Sequence, residues 1–206
     1  GQSQRNFRAD RKMMGSVELA GFVLSLAMVY CNINQIHWGW PLAIASSALY
    51  GVVFWNSQLF GEASLQVMFI LTSLWGWRLW LKGKQTAPDQ NLDAPAPLMI
   101  SKLLPSERKK AALAALLTWP ALTYFLYSFT ESHIAAWDAL VTTLSLLAQF
   151  LLAKKKIENW WVWLVVNILT VGLMLFKSLW LTAVLYFIFA VLSYVGLKAW
   201  QKQHVR

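Results

Sequence analysis

Long uncharged stretches alternate along this chain with short polar connections. Six stretches contain no Asp, Glu, Lys or Arg: Leu19–Gly61, Ala63–Trp77, Ala111–Thr130, Ala139–Ala153, Asn159–Phe176 and Ser178–Leu197. A helix that crosses a bilayer needs about 20 predominantly apolar residues, and the first stretch is long enough for two, with a turn at Asn32–Gln35. The pattern therefore predicts an all-α integral membrane protein with seven membrane-spanning helices.

The predicted helices form two groups of three with one helix between them. The spans cover about Ser16–Cys31, Trp38–Trp55, Gly61–Leu81, Lys109–Phe129, Ile134–Ala153, Asn159–Phe176 and Leu179–Trp200. Four of the six prolines lie between Lys82 and Pro105, which is typical of a solvated linker. We therefore expect an N-terminal tail (1–15), a three-helix repeat (16–81), a linker (82–107), a connecting helix (108–130), a second three-helix repeat (131–201) and a C-terminal tail (202–206).

The two groups of helices are similar in sequence. At a separation of 120 residues, Ser73 pairs with Ser193, Gly76 with Gly196 and Trp80 with Trp200. A separation of 123 pairs Trp38 and Trp40 with Trp161 and Trp163, and we attribute the extra residues to a longer connection around Lys154–Lys156. Because one helix separates the two groups, both enter the membrane from the same side. The pattern thus predicts parallel repeats in a 3+1+3 arrangement, with a site at their interface.

Composition narrows the class of protein further. The chain is 58% hydrophobic and 13% charged, whereas a soluble domain carries about 25% charged residues. Its net charge of +9 comes from loops and tails beside the spans, so it indicates the positive-inside pattern and no nucleic-acid partner. Cys31 is the single cysteine, and no His/Cys cluster has metal-ligand spacing, so we expect no metal and no cofactor. We find no nucleophile–base pair and expect no catalytic residues and no enzymatic activity.

The basic residues also predict an orientation. Twelve lie on one side of the membrane (Lys82, Lys84, Lys102, Arg108–Lys110, Lys154–Lys156, Lys198, Lys202 and Arg206), and five lie on the other (Arg5, Arg8, Arg11, Lys12 and Lys177). The positive-inside rule favours a cytoplasmic C-terminus and an external N-terminus. The four basic residues of the N-terminal tail argue against this orientation.

Polar side chains form stripes on several of the predicted helices. The fifth span carries Asp138, Thr142, Ser145 and Gln149 on one face, and the third and seventh spans carry Gln66 and Tyr186 in similar stripes. An amide at membrane depth costs free energy unless it is hydrogen-bonded, so Gln66, Gln149 and Asn167 are candidates for ligand contact. The alternative is hydrogen bonding between helices, which we favour for serines such as Ser193.

The sixth span combines two tryptophans with an amide. Trp160, Trp163 and Asn167 occur at i, i+3 and i+7 and share one face, while Trp161 points elsewhere. We expect the two indoles of this face to stack on a flat aromatic or sugar-bearing solute, with helix packing as the alternative. No buried Lys/Arg cluster is present to suit a phosphate, whereas a cationic ring would gain from cation–π attraction. Interface anchoring is expected for Trp38, Trp80, Trp161 and Trp200.

Three segments carry marks of a known family. They are Asp138–Gln149, Lys156–Asn167 with its Trp160-x-x-Trp163-x-x-x-Asn167 pattern, and Lys177–Tyr186. With them, the region from span one to the C-terminus resembles the PnuC family of bacterial nicotinamide riboside transporters. The resemblance implies a fold like that of SWEET sugar transporters and a location in the inner membrane of a bacterium. It also implies uptake of unphosphorylated nicotinamide riboside, an NAD precursor, by facilitated diffusion.

The resemblance and the polar stripes together predict the substrate site. Its candidate residues are Trp40, Ser47, Gln66, Thr142, Gln149, Trp160, Trp163, Asn167, Trp180 and Tyr186. Trp180 stands where relatives often have tyrosine, which leaves its role open. The partners expected are the riboside, the lipid bilayer and further copies of the chain in a homo-oligomer, for which we expect a trimer.

Other functions compete with this interpretation. A carrier for a sugar or another vitamin, a channel-like pore and a structural membrane protein are the alternatives. A pore would line its path with small or charged residues, whereas Trp and Tyr are concentrated here. Proton coupling through Glu18, Glu62 or Asp138 also stays open.

Overall fold

The described part of the chain is almost entirely helical. The computed structural model describes residues 19–56, 60–82, 98–129, 135–176 and 180–204. These residues form seven helices: α1 (Leu19–Ile33), α2 (Gly39–Asn56), α3 (Phe60–Lys82), α4 (Pro105–Phe129), α5 (Ala135–Ala153), α6 (Glu158–Phe176) and α7 (Trp180–His204). Each corresponds to one predicted span, so the all-helical fold class is confirmed. The N-terminal tail and most of the predicted linker lie outside the described residues.

Four of the helices are long and apolar enough to cross a bilayer. They are Pro105–Phe129, Ala135–Ala153, Glu158–Phe176 and the Ala183–His204 part of α7. Shorter apolar helices cover Leu19–Ile33 and Gly39–Val53. These lengths and compositions make the chain a multi-pass membrane protein. The crossing of the bilayer by α1, α2 and α3 stays a prediction.

α4 begins at Pro105, ahead of the predicted Lys109. Proline suits the first position of a helix, because its missing N–H would have no partner there. The Glu107 carboxylate accepts the Leu104 N–H at 2.9 Å and so caps the new helix. The charged residues after Pro105 therefore form the first turns of α4 rather than the end of a loop.

The chain divides into two compact units, Gly1–Leu74 and Trp75–Arg206. In the first unit, the hydroxyls of Ser25 on α1 and Ser46 on α2 lie 3.1 Å apart, and both donate to the Gly21 carbonyl. In the second unit, α4 packs on α5, α5 on α6, and α6 on α7. The boundary falls within α3, so the last turns of this helix belong to the second unit.

The turns that follow α1 and α5 have the same hydrogen bonds. After α1, the N–H groups of Asn34, Gln35 and Ile36 donate to the carbonyls of Tyr30, Asn32 and Cys31, and after α5 those of Lys154, Lys155 and Lys156 donate to Phe150, Leu152 and Leu151. Gln35 and Lys155 have left-handed φ angles of 56° and 50°. Both turns are therefore helix C-caps of the Schellman type, and their corresponding residues are 120 positions apart.

The same separation continues into α2 and α6. The N–H groups of Gly39 and Trp40 donate to the carbonyls of Ile36 and His37, and those of Asn159 and Trp160 donate to Lys156 and Ile157. Trp40 therefore corresponds to Trp160, and the expected separation of 123, which paired Trp40 with Trp163, is wrong. It is wrong because the turn at Lys154–Lys156 has the same length as the turn at Asn34–Ile36.

Candidate functional site

Trp160 of the predicted α6 face lies in a cluster of three indoles. Its ring makes an edge-on contact with Trp200 of α7, with ring centroids 5.5 Å apart and an interplanar angle of 86°. Trp200 in turn lies 6.5 Å from the ring of Trp80 at the end of α3. A Cβ atom added at Gly196 would lie 2.6 Å from the six-membered ring of Trp160. Only glycine at this position lets α7 approach the indole so closely.

Packing within this cluster leaves little of the Trp160 and Trp200 rings exposed to a solute. Trp160 is 3% exposed and Trp200 is fully buried. The interface role predicted for Trp200 is wrong, because Trp160 and Trp80 cover its ring. Trp38 and Trp161, at 60% and 52% exposure, are accessible as an interface anchor must be. In the part of the chain that the structure describes, the buried Trp160 Nε1–H has no hydrogen-bond acceptor.

Asn167 lies further along α6 and faces α7. Its Nδ2 donates to the Ser193 hydroxyl at 3.2 Å, and Ser193 donates to the Phe189 carbonyl at 2.8 Å. Both side chains are buried, at 7% and 3% exposure. Asn167 thus links two helices in this conformation, as the packing alternative expects. An amide has two N–H donors and two acceptor lone pairs, so this single bond leaves capacity for a second partner.

The other candidates of the second unit differ in accessibility. Trp163 lies between the two buried positions of the α6 face and is partly exposed. Gln149 of α5 is buried, Thr142 is partly exposed, and Tyr186 of α7 contacts the Phe189 ring edge-on at 6.1 Å. Trp180, at 68% exposure, stands at the start of α7. Trp163 is therefore the predicted stacking residue of α6 whose ring remains accessible.

Two candidates of the first unit lie together. Ser47 of α2 and Gln66 of α3 both line a groove of about 360 Å³ between these helices, with Gly51 facing the Gln66 side chain. Trp40, at the start of α2, is 1% exposed. The three first-unit candidates and the seven second-unit candidates belong to separate compact units, so the ten-residue site stays a prediction.

The segment 98–104, which precedes α4, is hydrogen-bonded to the turn between α5 and α6 and to the first residue of α6. The Ser101 N–H donates to the Lys155 carbonyl at 3.1 Å, and the Ile157 N–H donates to the Ser101 carbonyl at 3.0 Å. The Leu103 N–H donates to both oxygens of the Glu158 carboxylate at 3.1 Å. The chain before α4 is thereby attached to the turn between α5 and α6.

Charged side chains reinforce this attachment. Arg108 pairs with Glu158 at 3.2 Å, and Lys156 pairs with Glu107 at 3.0 Å, so α4 is bound to the α5–α6 turn at two points. Lys155 lies with its ammonium 4.7 Å from the centre of the Trp80 ring. Partial burial lowers the pKa of Lys155, because the charged form loses hydration there.

The hydrogen bond between helices that was predicted for Ser193 is confirmed by its contact with Asn167, whereas the role of Gly196 was not predicted. Its signal was present in the sequence, since Gly196 belongs to the set that recurs at 120 residues, with Gly76 as its counterpart. A repeated glycine indicates a position where a neighbouring group comes close. Which group comes close could not be read from the repeat.

Long apolar helices with indoles and amides buried between them define the class of multi-pass helical membrane proteins. The fold is similar to that of a crystal structure of the vitamin B3 transporter PnuC, with a TM-score of 0.70 and 22% identity over 91% of this chain and 81% of that chain. A family model described as nicotinamide mononucleotide transporter matches residues 15–202. The chain belongs to this family, and the resemblance to PnuC transporters is confirmed.

Two curated relatives differ in the solute that their names give. The nicotinamide riboside transporter PnuC of Escherichia coli (strain K12) is 24% identical over 177 residues, which is 74% of this chain and 71% of the relative. The riboflavin/roseoflavin transporter RibM of Streptomyces davaonensis is 23% identical over 185 residues, which is 89% of this chain and 83% of the relative. The family is one of membrane transporters, and the relatives of this chain are named for different solutes.

Proposed function

We propose that this protein carries nicotinamide riboside into a bacterial cell by facilitated diffusion through the inner membrane. The observation that carries the proposal is the family match over residues 15–202 together with a relative named as a nicotinamide riboside transporter. The chemistry of the predicted residues supports it. The riboside has a flat cationic pyridinium for an indole and ribose hydroxyls for amide and hydroxyl groups.

We propose Trp163 as the ring that stacks on the pyridinium. Trp160 is packed against Gly196 and Trp200 and is 3% exposed, so a solute cannot reach its ring in this structure. Trp163 keeps part of its ring accessible on the same face of α6. Cation–π attraction adds about 0.5 to 2 kcal/mol to such a contact, depending on how far it is desolvated.

Polar side chains near this face are proposed to bind the amide and ribose groups of the riboside. Asn167 retains hydrogen-bonding capacity beyond Ser193, and Gln149, Thr142 and Tyr186 lie on the helices that pack against α6. In the first unit Ser47 and Gln66 line one groove and supply further polar groups. Trp40 and Trp160 then act as buried supports, and Trp180 as an accessible ring at a helix start.

We further propose that the two groups of three helices are parallel repeats that alternate access to the solute. The support is the 120-residue recurrence of the C-cap turns and of the hydrogen bonds that begin α2 and α6. α4 is the connecting helix, which keeps the predicted domain order. The excess of basic residues beside the α4 start and the α5–α6 turn favours a cytoplasmic C-terminus. We propose a homo-oligomer, a trimer, as the assembled form.

Binding and uptake by the purified protein test the solute. We expect calorimetric titration to give saturable binding of nicotinamide riboside, and vesicles containing the protein to equilibrate the riboside without accumulating it. Nicotinamide mononucleotide is the matched control, because its phosphate finds no cationic cluster at the predicted site. Equal binding of the mononucleotide would contradict the proposed site. Accumulation driven by a proton or sodium gradient would contradict facilitated diffusion.

A second candidate is riboflavin, and the similarity to RibM over 89% of this chain favours it. Riboflavin is also flat and carries hydroxyl groups, but its ring system is larger and uncharged. Titration of the same preparation with both compounds separates the candidates. Saturable binding of riboflavin with none of the riboside would replace our proposal with the second candidate.

A further inference from the structure

A groove in the second unit runs between α4 and α5, and none of the candidate residues lines it. It has a volume of about 440 Å³ and is lined mainly by alanine and leucine, including Ala111, Ala115 and Leu147. Both helices are long and apolar enough to cross a bilayer. α4 has few buried side chains, and its Leu113, Leu116 and Leu117 are more than half exposed. The groove therefore lies on helices whose surroundings are lipid.

Two cations stand at one end of this groove. Lys110 of α4 and Lys154, just after α5, line its mouth. The Lys154 ammonium lies 4.5 Å from the centre of the Phe150 ring, which is itself stacked on Trp75 at 5.3 Å. These ring contacts hold the lysine over the groove.

The mouth has a net positive charge. Glu107 also lines it, but its carboxylate is bound to Lys156 and to the Leu104 N–H. Among the described residues, the ion pairs at this end use Arg108 and Lys156. Lys110 and Lys154 take no part in those pairs, so two positive charges remain for a partner.

The length of the groove matches one leaflet of a bilayer. Glu107 and Thr118 mark its two ends on α4, and a rise of about 1.5 Å per residue places them about 16 Å apart. Half of the hydrocarbon core of a bilayer is about 15 Å thick. Cations at the membrane surface followed by an apolar groove of this depth suit a phosphate headgroup followed by an acyl chain.

We infer that the groove between α4 and α5 binds an anionic phospholipid, with its phosphate on Lys110 and Lys154 and one acyl chain along the alanine and leucine side chains. The occupant is a lipid of the surrounding membrane and not the transported solute. This site is separate from the candidate transport site and does not depend on which solute is carried. Lipid at this site would fill the space between α4 and α5 and stabilise their packing.

Native mass spectrometry of the delipidated, full-length protein tests the headgroup contact. Phosphatidylglycerol and phosphatidylcholine with identical acyl chains are added in turn. We expect one phosphatidylglycerol to bind at least about tenfold more tightly than phosphatidylcholine, since each lysine near the membrane surface contributes attraction to anionic lipid. The double variant Lys110→Gln/Lys154→Gln should lose this preference. The control Lys198→Gln/Lys202→Gln removes the same charge from α7 and should keep it.

A second pair of variants tests the acyl contact. Ala115→Trp places a large ring in the groove and should weaken the binding of both lipids several-fold. Ala112→Trp adds the same ring to an exposed position of α4 that does not line the groove, and should leave binding unchanged. Equal affinity of the two lipids for the unmodified protein would overturn the inference. Unchanged lipid binding in Ala115→Trp would also overturn it. If that variant instead changed the number of protein chains in the complex, a second copy of the chain would be the occupant of the groove.

Discussion

Because the side chain of Gly196 is a single hydrogen atom, α7 can pack closely against the indole of Trp160. The ring atoms would lie 2.6 Å from a Cβ at this position, closer than real Cβ atoms approach their neighbours. The neighbouring atoms belong to a buried, rigid ring that is itself packed on Trp200. The ring therefore cannot move aside without disturbing the cluster.

Gly196→Ala should for this reason destabilise the protein by about 1 to 3 kcal/mol through overpacking. Gly172→Ala in α6 is the matched control, because nothing lies within 4 Å of its added Cβ. That control should stabilise the helix slightly, by up to about 1 kcal/mol. Thermal unfolding of the two purified variants in the same detergent measures the difference. Equal unfolding temperatures would mean that α7 does not approach Trp160 this closely.

The proposed stacking role of Trp163 gives a second prediction at the scale of one residue. Trp163→Ala should weaken riboside binding by roughly 1 to 3 kcal/mol, about tenfold or more, because a ring contact and its cation–π attraction are lost. Trp163→Phe should weaken it less, and the exposed Trp161→Phe hardly at all. Calorimetric titration measures all three. An unchanged affinity of Trp163→Ala would place the binding site elsewhere.

At the scale of the element, the segment 98–104 is held by bonds of different strength. Glu158 accepts from the Leu103 N–H through both carboxylate oxygens and also pairs with Arg108. The Arg108 side chain is 60% exposed, so this ion pair contributes no more than about 1 kcal/mol. A hydrogen bond to a charged group contributes about 1.5 to 3 kcal/mol. The Leu103 bond is therefore the stronger attachment.

Two variants that differ in what they remove test this ranking. Glu158→Ala removes both, whereas Arg108→Ala removes only the ion pair. We expect hydrogen exchange of the Leu103 amide to become about tenfold faster or more in Glu158→Ala, and to change much less in Arg108→Ala. Mass spectrometry of the exchanged peptides follows the segment in both variants. Equal acceleration would show that the ion pair supplies most of the attachment.

The positions of the helices could be predicted from the sequence, whereas the contacts between helices could be predicted only in part. Uncharged stretches fix where a chain can cross a bilayer, so the seven helices were predicted close to their observed bounds. The start of α4 at Pro105 was missed because its first turns are charged and resemble the linker. The partners of Trp160 and the burial of Trp200 were also missed. Periodicity assigns residues to a face of a helix, but it does not say which neighbour covers that face.

For the whole molecule, the proposed parallel repeats predict that equivalent turns of the two repeats lie on the same side of the membrane. Inverted repeats would place them on opposite sides. Asn34 and Lys154 occupy equivalent positions in the turns after α1 and α5, and both are exposed. In a Cys31→Ser background, cysteines at these positions should react with an impermeant maleimide from the same side of the membrane. A cysteine at Phe176, which is 84% exposed at the end of α6, should react from the opposite side. Reaction of the two turn positions from opposite sides would contradict the parallel arrangement.

α4 is supported at two places along its length. Near its start Glu107 and Arg108 are bound to the α5–α6 turn, and further on Trp119 donates to the Ala136 carbonyl while Leu126 packs on Ala139. Between these two supports, the part of α4 from Lys110 to Thr118 lines the groove between α4 and α5. In this part of α4 the groove separates the helix from the α5 side chains, so the lateral pressure of the bilayer acts where α4 has less direct support than at its two ends. We expect a membrane whose lipids fill the groove poorly to bend α4. The two ion pairs would transmit this bending to the turn between α5 and α6.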